Sequence, residues 1–165
     1  MTRFNHRCFY RLFTGVALCV LTIACQTADK SKGIEQILVN ITGKESIEKS
    51  HAIVVIPNAG CNGCISNTEY YMTKNIADKS IIFIATGSSS RKILRMRFGV
   101  KILNQPNFYI DSLNTLQQEG AGLKNMYPAI IFIRNGRVEQ IEEVSPENDG
   151  LKKLNEYLAN KTTST

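Results

Sequence analysis

The hydrophobic positions of this chain form short continuous runs. Such runs occupy residues 51–57 (HAIVVIP) and 80–86 (SIIFIAT), and a third opens the segment 128–144 (PAIIFIRNGRVEQIEEV). Continuous apolar runs of this length are typical of strands that are buried on both faces of a sheet. Residues 107–111 (NFYID) predict one further strand. The pattern therefore indicates a buried sheet of several strands.

Helical spacing appears between these runs. After Cys64, apolar or small residues recur at helical spacing and predict a helix that ends near Asp78; they are Ile65, Thr68, Met72 and Ile76. The segment 88–99 begins with serines suited to a helix cap and ends with a glycine, and 112–125 contains a short helix and a glycine break. Residues 34–50 are ambiguous. They predict either a helix or a strand followed by a helical turn, because helical spacing coexists with many β-branched residues.

The C-terminal third contains the clearest hairpin signal. Asn135-Gly136 separates two apolar segments, as in a two-residue β-hairpin turn. The segment 145–160 predicts a helix capped by Ser145, with Pro146 at its first position. One face of that helix is apolar: Leu151, Leu154, Tyr157 and Leu158. Alternating strands and helices followed by a hairpin predict an α/β fold, with one mixed β-sheet flanked by helices on both faces.

Charge argues against nucleic-acid binding. The 165 residues carry a formal net charge of +6, but three of the 20 basic residues lie in the first 24 residues, which contain no acid. The remainder has 17 basic and 14 acidic residues. No block of like charges and no basic stripe with interleaved aromatic residues is present, so we expect no nucleic-acid partner.

The N-terminus resembles a bacterial lipoprotein signal. Arginines precede an apolar run at residues 12–24 (LFTGVALCVLTIA), which is too short for a good membrane span. The run ends in Ala24-Cys25, as at a lipobox, although Thr22 occupies the position where leucine is usual. We therefore expect a signal peptide at 1–24, a lipidated Cys25 with a tether at 25–33, a folded domain at 34–160 and a tail at 161–165. The domain would be anchored by lipid in the bacterial cell envelope, facing the periplasm or the extracytoplasmic side, where disulfides persist.

This processing leaves one pair of thiols in the domain. Cys8 and Cys19 leave with the signal peptide, and Cys25 carries lipid. Cys61 and Cys64 remain, three residues apart in NAGCNGCISN (58–67). A structural zinc site needs four ligands, and the domain adds only His51 to this pair. We therefore expect no zinc site.

The predicted position of this pair favours redox chemistry. A cysteine at a helix N-terminus meets unpaired N–H groups and the positive end of the helix dipole, which favour the nucleophilic thiolate. Cys61 would attack a disulfide, and Cys64, one turn further, would resolve the mixed disulfide. Gly60 and Gly63, on either side of Asn62, would leave the backbone open to another protein.

These motifs together resemble the thioredoxin fold over residues 45–160. The resemblance rests on the strand AIVVIP, on CNGC opening a helix, on MYPAIIFIRNGRV and on the last helix. It implies that Pro128 is a cis-proline facing the cysteines and that the backbone of Tyr127 pairs with an extended substrate. The extra helix and strand between the cysteines and Pro128 are similar to the membrane-anchored TlpA/ResA-like branch.

That branch implies a thiol–disulfide oxidoreductase that works outside the cytoplasm, most simply as a reductase. It would need no bound cofactor. Its partners would be protein thiols and disulfides, such as apocytochrome c or other envelope proteins, and an electron-donor protein.

The sequence departs from the resemblance where acids assist proton transfer. Thioredoxins bury an acid six residues before the first cysteine, where this chain has Val55. Some TlpA-like reductases have a glutamate six residues after it, where this chain has Asn67. Glu69 is nearby in sequence but about 200° round a helix, so we do not expect it to substitute.

Other functions remain open at this point. A copper chaperone of thioredoxin fold would use the pair with His51 or Met126, since thiolates and thioethers suit copper. A non-catalytic, lipid-anchored binding module is another alternative. A purely structural disulfide is disfavoured because so short a loop removes little chain entropy. A peroxidase is disfavoured because Asn58 stands where peroxiredoxins have Thr or Ser.

Overall fold

The computed structural model describes residues 32–87, 90–118, 123 and 126–162. The expected signal peptide, the lipid site at Cys25, most of the tether and the last three residues lie outside this part. In the described residues, no helix is long and apolar enough to cross a membrane.

The described residues form one six-stranded mixed sheet with helices on both faces. In chain order the elements are α1 (32–42), α2 (Lys44–Lys49), β1 (Ala52–Ile56), α3 (Asn62–Asn75), β2 (Ile81–Thr86), α4 (Arg91–Leu103), β3 (Phe108–Asp111), a 3₁₀ turn (Thr115–Gln117), β4 (Ala129–Arg134), β5 (Arg137–Ser145), β6 (Asn148–Asp149) and α5 (Gly150–Thr162). The strand order is β3-β2-β1-β4-β5-β6. The predicted α/β fold is confirmed.

The centre of the sheet is parallel and its second half is antiparallel. β1 pairs in parallel with β2, and β2 with β3, whereas β4 runs antiparallel to both β1 and β5. Every residue of β1 and β2 is buried. Both strands therefore need apolar side chains on both faces, which explains the continuous runs seen in the sequence.

Two hydrophobic cores lie on opposite faces of the sheet. Helices α3, α4 and α5 cover one face, where Phe83 and Phe132 belong to the core. Helices α1 and α2 and the 3₁₀ turn cover the other face through Ile34, Leu38 and Ile47, among others. Right-handed crossovers from β1 to β2 and from β2 to β3 place α3 and α4 on the same face. The ambiguous segment 34–50 is thus helical, because its apolar residues pack as helices on the second face.

Helix α4 is longer than its sequence predicted. Gly99 interrupts the helix with a positive φ of 76°, as expected of a stop. The chain then resumes helical geometry as far as Leu103, and Ile102 is buried with Leu94 and Phe98. Burial of Ile102 against the core stabilises the turn beyond the glycine.

The predicted start of the last helix is wrong. Ser145 ends β5, and the following two residues form the turn to β6. Helix α5 begins at Gly150, where the Asp149 carboxylate accepts a hydrogen bond from the Lys152 N–H at 3.1 Å. A Cβ at Gly150 would lie 2.9 Å from the Glu143 carbonyl oxygen. Close packing of the helix start on β5 therefore decides where the helix begins. Its predicted apolar face is confirmed.

One carboxylate joins the hairpin of β5 and β6 to this helix. Glu142 accepts hydrogen bonds from Lys153 Nζ and Asn148 Nδ2, both at 2.7 Å. The hydrogen bond from Lys153 is the largest cause of a lowered pKa of Glu142. A lowered pKa contributes stability that is present above the unfolded value and is lost as the pH falls through the folded value.

We therefore expect Glu142→Gln to lower the free energy of unfolding by about 1 kcal/mol at neutral pH. Below pH 4.5, the ordinary value for this carboxyl, the difference from the wild type should shrink. Urea unfolding of both proteins between pH 3 and pH 7 measures it. Glu156→Gln is the matched control, because Glu156 is exposed and pairs only at 4.0 Å with Lys152. A constant difference across this range would contradict the prediction.

Candidate redox site

The two cysteines lie where β1 passes into α3, at the carboxyl edge of the parallel strands. They are joined as a disulfide, with their Cα atoms 5.3 Å apart. Cys61 is half-buried, whereas Cys64 is 9% exposed. Of the two cysteines, Cys61 is therefore the more accessible to a large partner. Thr68 lies one turn beyond Cys64 and donates its hydroxyl to the Cys64 carbonyl at 2.8 Å.

Cys61 is the N-cap residue of α3. Its sulfur accepts a hydrogen bond from the Cys64 N–H at 3.4 Å, and its carbonyl accepts one from the Ile65 N–H at 2.9 Å. The first turn of the helix contains no acidic side chain. The sulfur thus sits where free N–H groups and the helix dipole favour a negative charge.

The segment that leads into β4 reaches the cysteines through Met126, two residues before Pro128. The Cys61 N–H donates to the Met126 carbonyl at 2.8 Å. This approach requires Gly60, because a Cβ there would lie 2.1 Å from the same carbonyl oxygen, and because Gly60 has a φ of +140°. Gly63 has open space around its missing Cβ, and Asn62 beside it is exposed.

The cis peptide expected before Pro128 is absent. The described residues contain no cis peptide bond, so Tyr127–Pro128 is trans. With this trans peptide bond, the residues before and after it both form backbone hydrogen bonds. The Met126 carbonyl accepts from the Cys61 N–H, and the Pro128 carbonyl accepts from the Val144 N–H at 2.8 Å. Pro128 does precede β4 directly and is buried, and Tyr127 is half-buried. Their part in a substrate groove stays a prediction.

An arginine that the sequence did not single out holds the loop before the cysteines. Arg97 of α4 donates from Nη2 to the Pro57 carbonyl at 2.9 Å and from Nη1 to Asn58 Oδ1 at 3.2 Å. Its Nε forms an ion pair with Glu69 of α3, and both side chains are largely buried. Arg97 therefore joins α3, α4 and the loop that leads to Cys61.

No described acid stands beside the thiol pair. Val55 is buried in the core on the far face of the sheet, and Asn67 is exposed. Glu69 is engaged by Arg97, which agrees with the expectation that it does not replace the missing acid. No Asp or Glu of the described residues hydrogen-bonds to either cysteine. Among the residues that the structure describes, no carboxylate is therefore placed to exchange a proton directly with either sulfur.

The structure separates the copper ligands proposed from the sequence. His51 precedes the amino end of β1, and the cysteines follow its carboxyl end, so the whole strand, about 16 Å long, lies between them. Met126 is close to Cys61 through its backbone, and its side chain is 57% exposed. Within the described ranges, no group of three or more His, Cys, Asp or Glu side chains could hold a metal ion.

Comparisons with known proteins found similar chains of low sequence identity among solved structures. No protein-family model matches the sequence, and no curated protein matches it. Among solved structures, the chain is similar to the solution structure of "a Putative Thioredoxin from Neisseria meningitidis", with 17% identity and a TM-score of 0.43 over 70% of this chain and 79% of that one. It is also similar to a conserved protein of unknown function from Bacteroides fragilis, with 12% identity and a TM-score of 0.38 over 69% and 84%.

The topology itself assigns the fold. The fold consists of a parallel β1-α3-β2 unit, an antiparallel β4-β5 pair and a closing helix. A Cys-x-x-Cys pair lies at the start of α3, the first crossover helix. The fold is thioredoxin-like. The predicted extra helix and strand between the cysteines and Pro128 are α4 and β3. A pair of cysteines at disulfide distance in this fold indicates thiol–disulfide redox function.

Gly60→Ala should lower the free energy of unfolding by about 2 kcal/mol, because the new Cβ collides with the Met126 carbonyl and the backbone is strained. Gly63→Ala is the matched control; it lies in open helix and should leave stability equal or raise it by up to about 1 kcal/mol. Urea unfolding of the oxidised proteins measures both. Equal effects at the two glycines would contradict the close approach of Met126.

The Arg97–Glu69 pair should tune the thiolate of Cys61. Asn58 precedes Cys61 by three residues, so their Cα atoms are at most about 11 Å apart. Glu69→Gln leaves the guanidinium unpaired and should raise the rate of Cys61 alkylation at fixed low pH about twofold. Arg97→Met leaves the carboxylate unpaired and should lower that rate by a similar factor.

The opposite signs distinguish charge tuning from a loose loop, which would shift both variants in the same direction. The redox potential of the pair should rise in Glu69→Gln and fall in Arg97→Met, since a stabilised thiolate favours the reduced form. Lys101→Met, an exposed change on the same helix, controls for net charge. Same-sign shifts in the two variants would show that the pair acts only on loop structure.

Proposed function

We propose that this protein is a thiol–disulfide oxidoreductase that reduces disulfides of partner proteins outside the cytoplasm. The observation that carries the proposal is the geometry of the pair. Cys61 is accessible at the N-terminus of α3, and Cys64 is buried one turn away within disulfide reach. The accessibility of Cys61 favours its attack on a partner disulfide. The closeness of Cys64 to Cys61 favours release of that partner.

The exchange balances in two steps. The Cys61 thiolate attacks one sulfur of a partner disulfide, the partner S–S bond breaks, and one partner sulfur leaves as a thiolate. The Cys64 thiolate then attacks the Cys61 sulfur and releases the second partner sulfur. The partner gains two electrons and two protons, and the Cys61–Cys64 pair becomes a disulfide.

The protons follow from the surroundings of the pair. With Val55 in the apolar core and Glu69 held by Arg97, the leaving partner thiolate is the base that accepts the Cys64 proton. Solvent at the half-exposed Cys61 supplies the second proton. An external dithiol protein then restores the reduced pair by the reverse exchange.

The setting is that of the TlpA/ResA-like proteins. The extra α4-β3 unit and the lipobox-like N-terminus support a domain tethered by lipid at Cys25 in the cell envelope. Its partners would then be apocytochrome c or other envelope proteins, together with an electron-donor protein. Pro128 and Tyr127 would border the groove that receives the partner.

Substitution of each cysteine tests the assignment of roles. With the full-length protein in detergent, we expect reduced Cys64→Ser to accumulate a mixed disulfide with a disulfide probe, either native insulin or 5,5′-dithiobis(2-nitrobenzoate), because no second thiol resolves it. Cys61→Ser should lose exchange by more than about 100-fold, since the accessible nucleophile is gone. Mass spectrometry locates the adduct.

The opposite outcome would reverse the roles: an adduct on Cys64 in Cys61→Ser, with none on Cys61 in Cys64→Ser. Absence of exchange in the wild type would favour the non-catalytic binding module.

Palmitate labelling of the protein tests the proposed tether. We expect the label to be lost in Cys25→Ala, and a label that persists in this variant would contradict lipidation at Cys25.

A further inference from the structure

Helix α4 exposes large apolar side chains to solvent in addition to those that it buries. Leu94, Phe98 and Ile102 pack into the core. Ile93, Met96 and Val100 are 53%, 80% and 57% exposed. Ile93 and Met96 precede the break at Gly99, and Val100 follows it. None of the three belongs to the two hydrophobic cores, and exposed apolar patches commonly mark interaction sites.

The same helix is strongly basic. Its sequence RKILRMRFGVKIL contains five basic residues and no acid. Arg97 is engaged by Glu69 and by the loop before Cys61. Within the described ranges no salt bridge engages the other four basic side chains: Arg91, Lys92, Arg95 and Lys101. The exposed surface of α4, which we call its outer face, thus carries both apolar and positively charged side chains.

A small cleft lies at one side of this face. It has a volume of about 110 Å³ between α4 and the edge strand β3, and it is lined by Arg91, Leu94, Arg95, Val100, Leu103 and Ile110, among others. Pockets for small-molecule ligands usually measure 300–1,000 Å³, so this cleft suits one apolar side chain rather than a free ligand. The two arginines on it would pair with carboxylates beside that side chain.

The face also adjoins the redox site. Arg97 follows Met96 directly, and its guanidinium holds the loop that leads to Cys61. A protein whose disulfide reaches Cys61 would come close to this face, whereas contact of the face with a flat lipid surface would require the redox site to share that surface.

We propose that the outer face of α4 docks the partner protein through an acidic, apolar segment that lies beside the partner's disulfide. Apolar side chains of the segment cover Ile93, Met96 and the cleft, and its carboxylates meet Arg91 and Arg95. This inference rests on the proposed disulfide exchange, because it identifies the class of partner at that site.

The test compares two short synthetic peptides that carry the same disulfide-linked reporter. One has Asp, Glu and Leu beside the disulfide, and the other has Lys and Ser. The full-length reduced protein should reduce the acidic, apolar peptide with a kcat/KM at least about fivefold higher at low salt. The preference should weaken as salt rises, and it should lie in KM rather than in kcat.

Variants assign that preference to α4. Arg91→Glu/Arg95→Glu should abolish or reverse it, and Met96→Ser should reduce it at all salt concentrations. Met96 is so exposed that this change should not disturb folding. Lys44→Glu/Lys152→Glu, on helices α2 and α5, is the charge-matched control and should keep the preference. All variants should react equally with 5,5′-dithiobis(2-nitrobenzoate), which is too small to need docking.

Three outcomes overturn the inference. The first is equal kcat/KM for the two peptides, and the second is a preference that survives in Arg91→Glu/Arg95→Glu. The third is Arg91- and Arg95-dependent sedimentation with phosphatidylglycerol-containing vesicles without any peptide preference, which would assign the face to a membrane surface. If the wild type reduces no probe at all, the proposed function fails instead. Fluorescence anisotropy of the two peptides with serine in place of the reporter cysteine then decides docking by itself.

Discussion

The site depends on one backbone hydrogen bond, from the Cys61 N–H to the Met126 carbonyl. It joins the loop after β1 to the chain that enters β4, two segments separated by the whole α3–β3 region. The bond is possible only because residue 60 has no side chain. Its consequence is that the start of α3 is held from both sides, by the helix that follows Cys61 and by the turn at Met126 that leads into β4. The more accessible cysteine is therefore positioned by two elements of the fold.

Among the described residues, charge at this site comes from the dipole of α3 and from the Arg97–Glu69 ion pair. The N-terminus of α3 favours a negative sulfur, and no described acid opposes it nearby. The opposite charges of the largely buried Arg97–Glu69 pair offset each other, and the pair connects α3 and α4 to the loop before Cys61. A thioredoxin-like site usually shifts protons with a buried acid. Here the corresponding residue is Val55, which belongs to a hydrophobic core and contributes to packing instead.

Helix α4 serves two surfaces at once. One side completes the core above β2 and β3, and Arg97 extends from the helix to the loop before the cysteines. The opposite side has no packing partner among the described residues, although it carries the most exposed large apolar side chain, Met96. Exposed apolar side chains on a helix lower the solubility of a protein unless another surface covers them. This is the physical reason for assigning that side of α4 to a partner.

The sequence by itself determined the α/β class, the central strands and the thiol pair. Strands buried on both faces require continuous apolar runs, and a Cys-x-x-Cys pair after such a strand is a local motif. Tertiary structure decided everything that depends on distant segments. Helix α5 starts at Gly150 and not at the predicted Pro146, because a turn and β6 take up residues 146–149 and because the helix start packs closely on Glu143. The bond before Pro128 is trans, and the contact with Cys61 comes from Met126. Arg97 carried no local signal at all. Its role exists only because a right-handed crossover lays α4 beside α3.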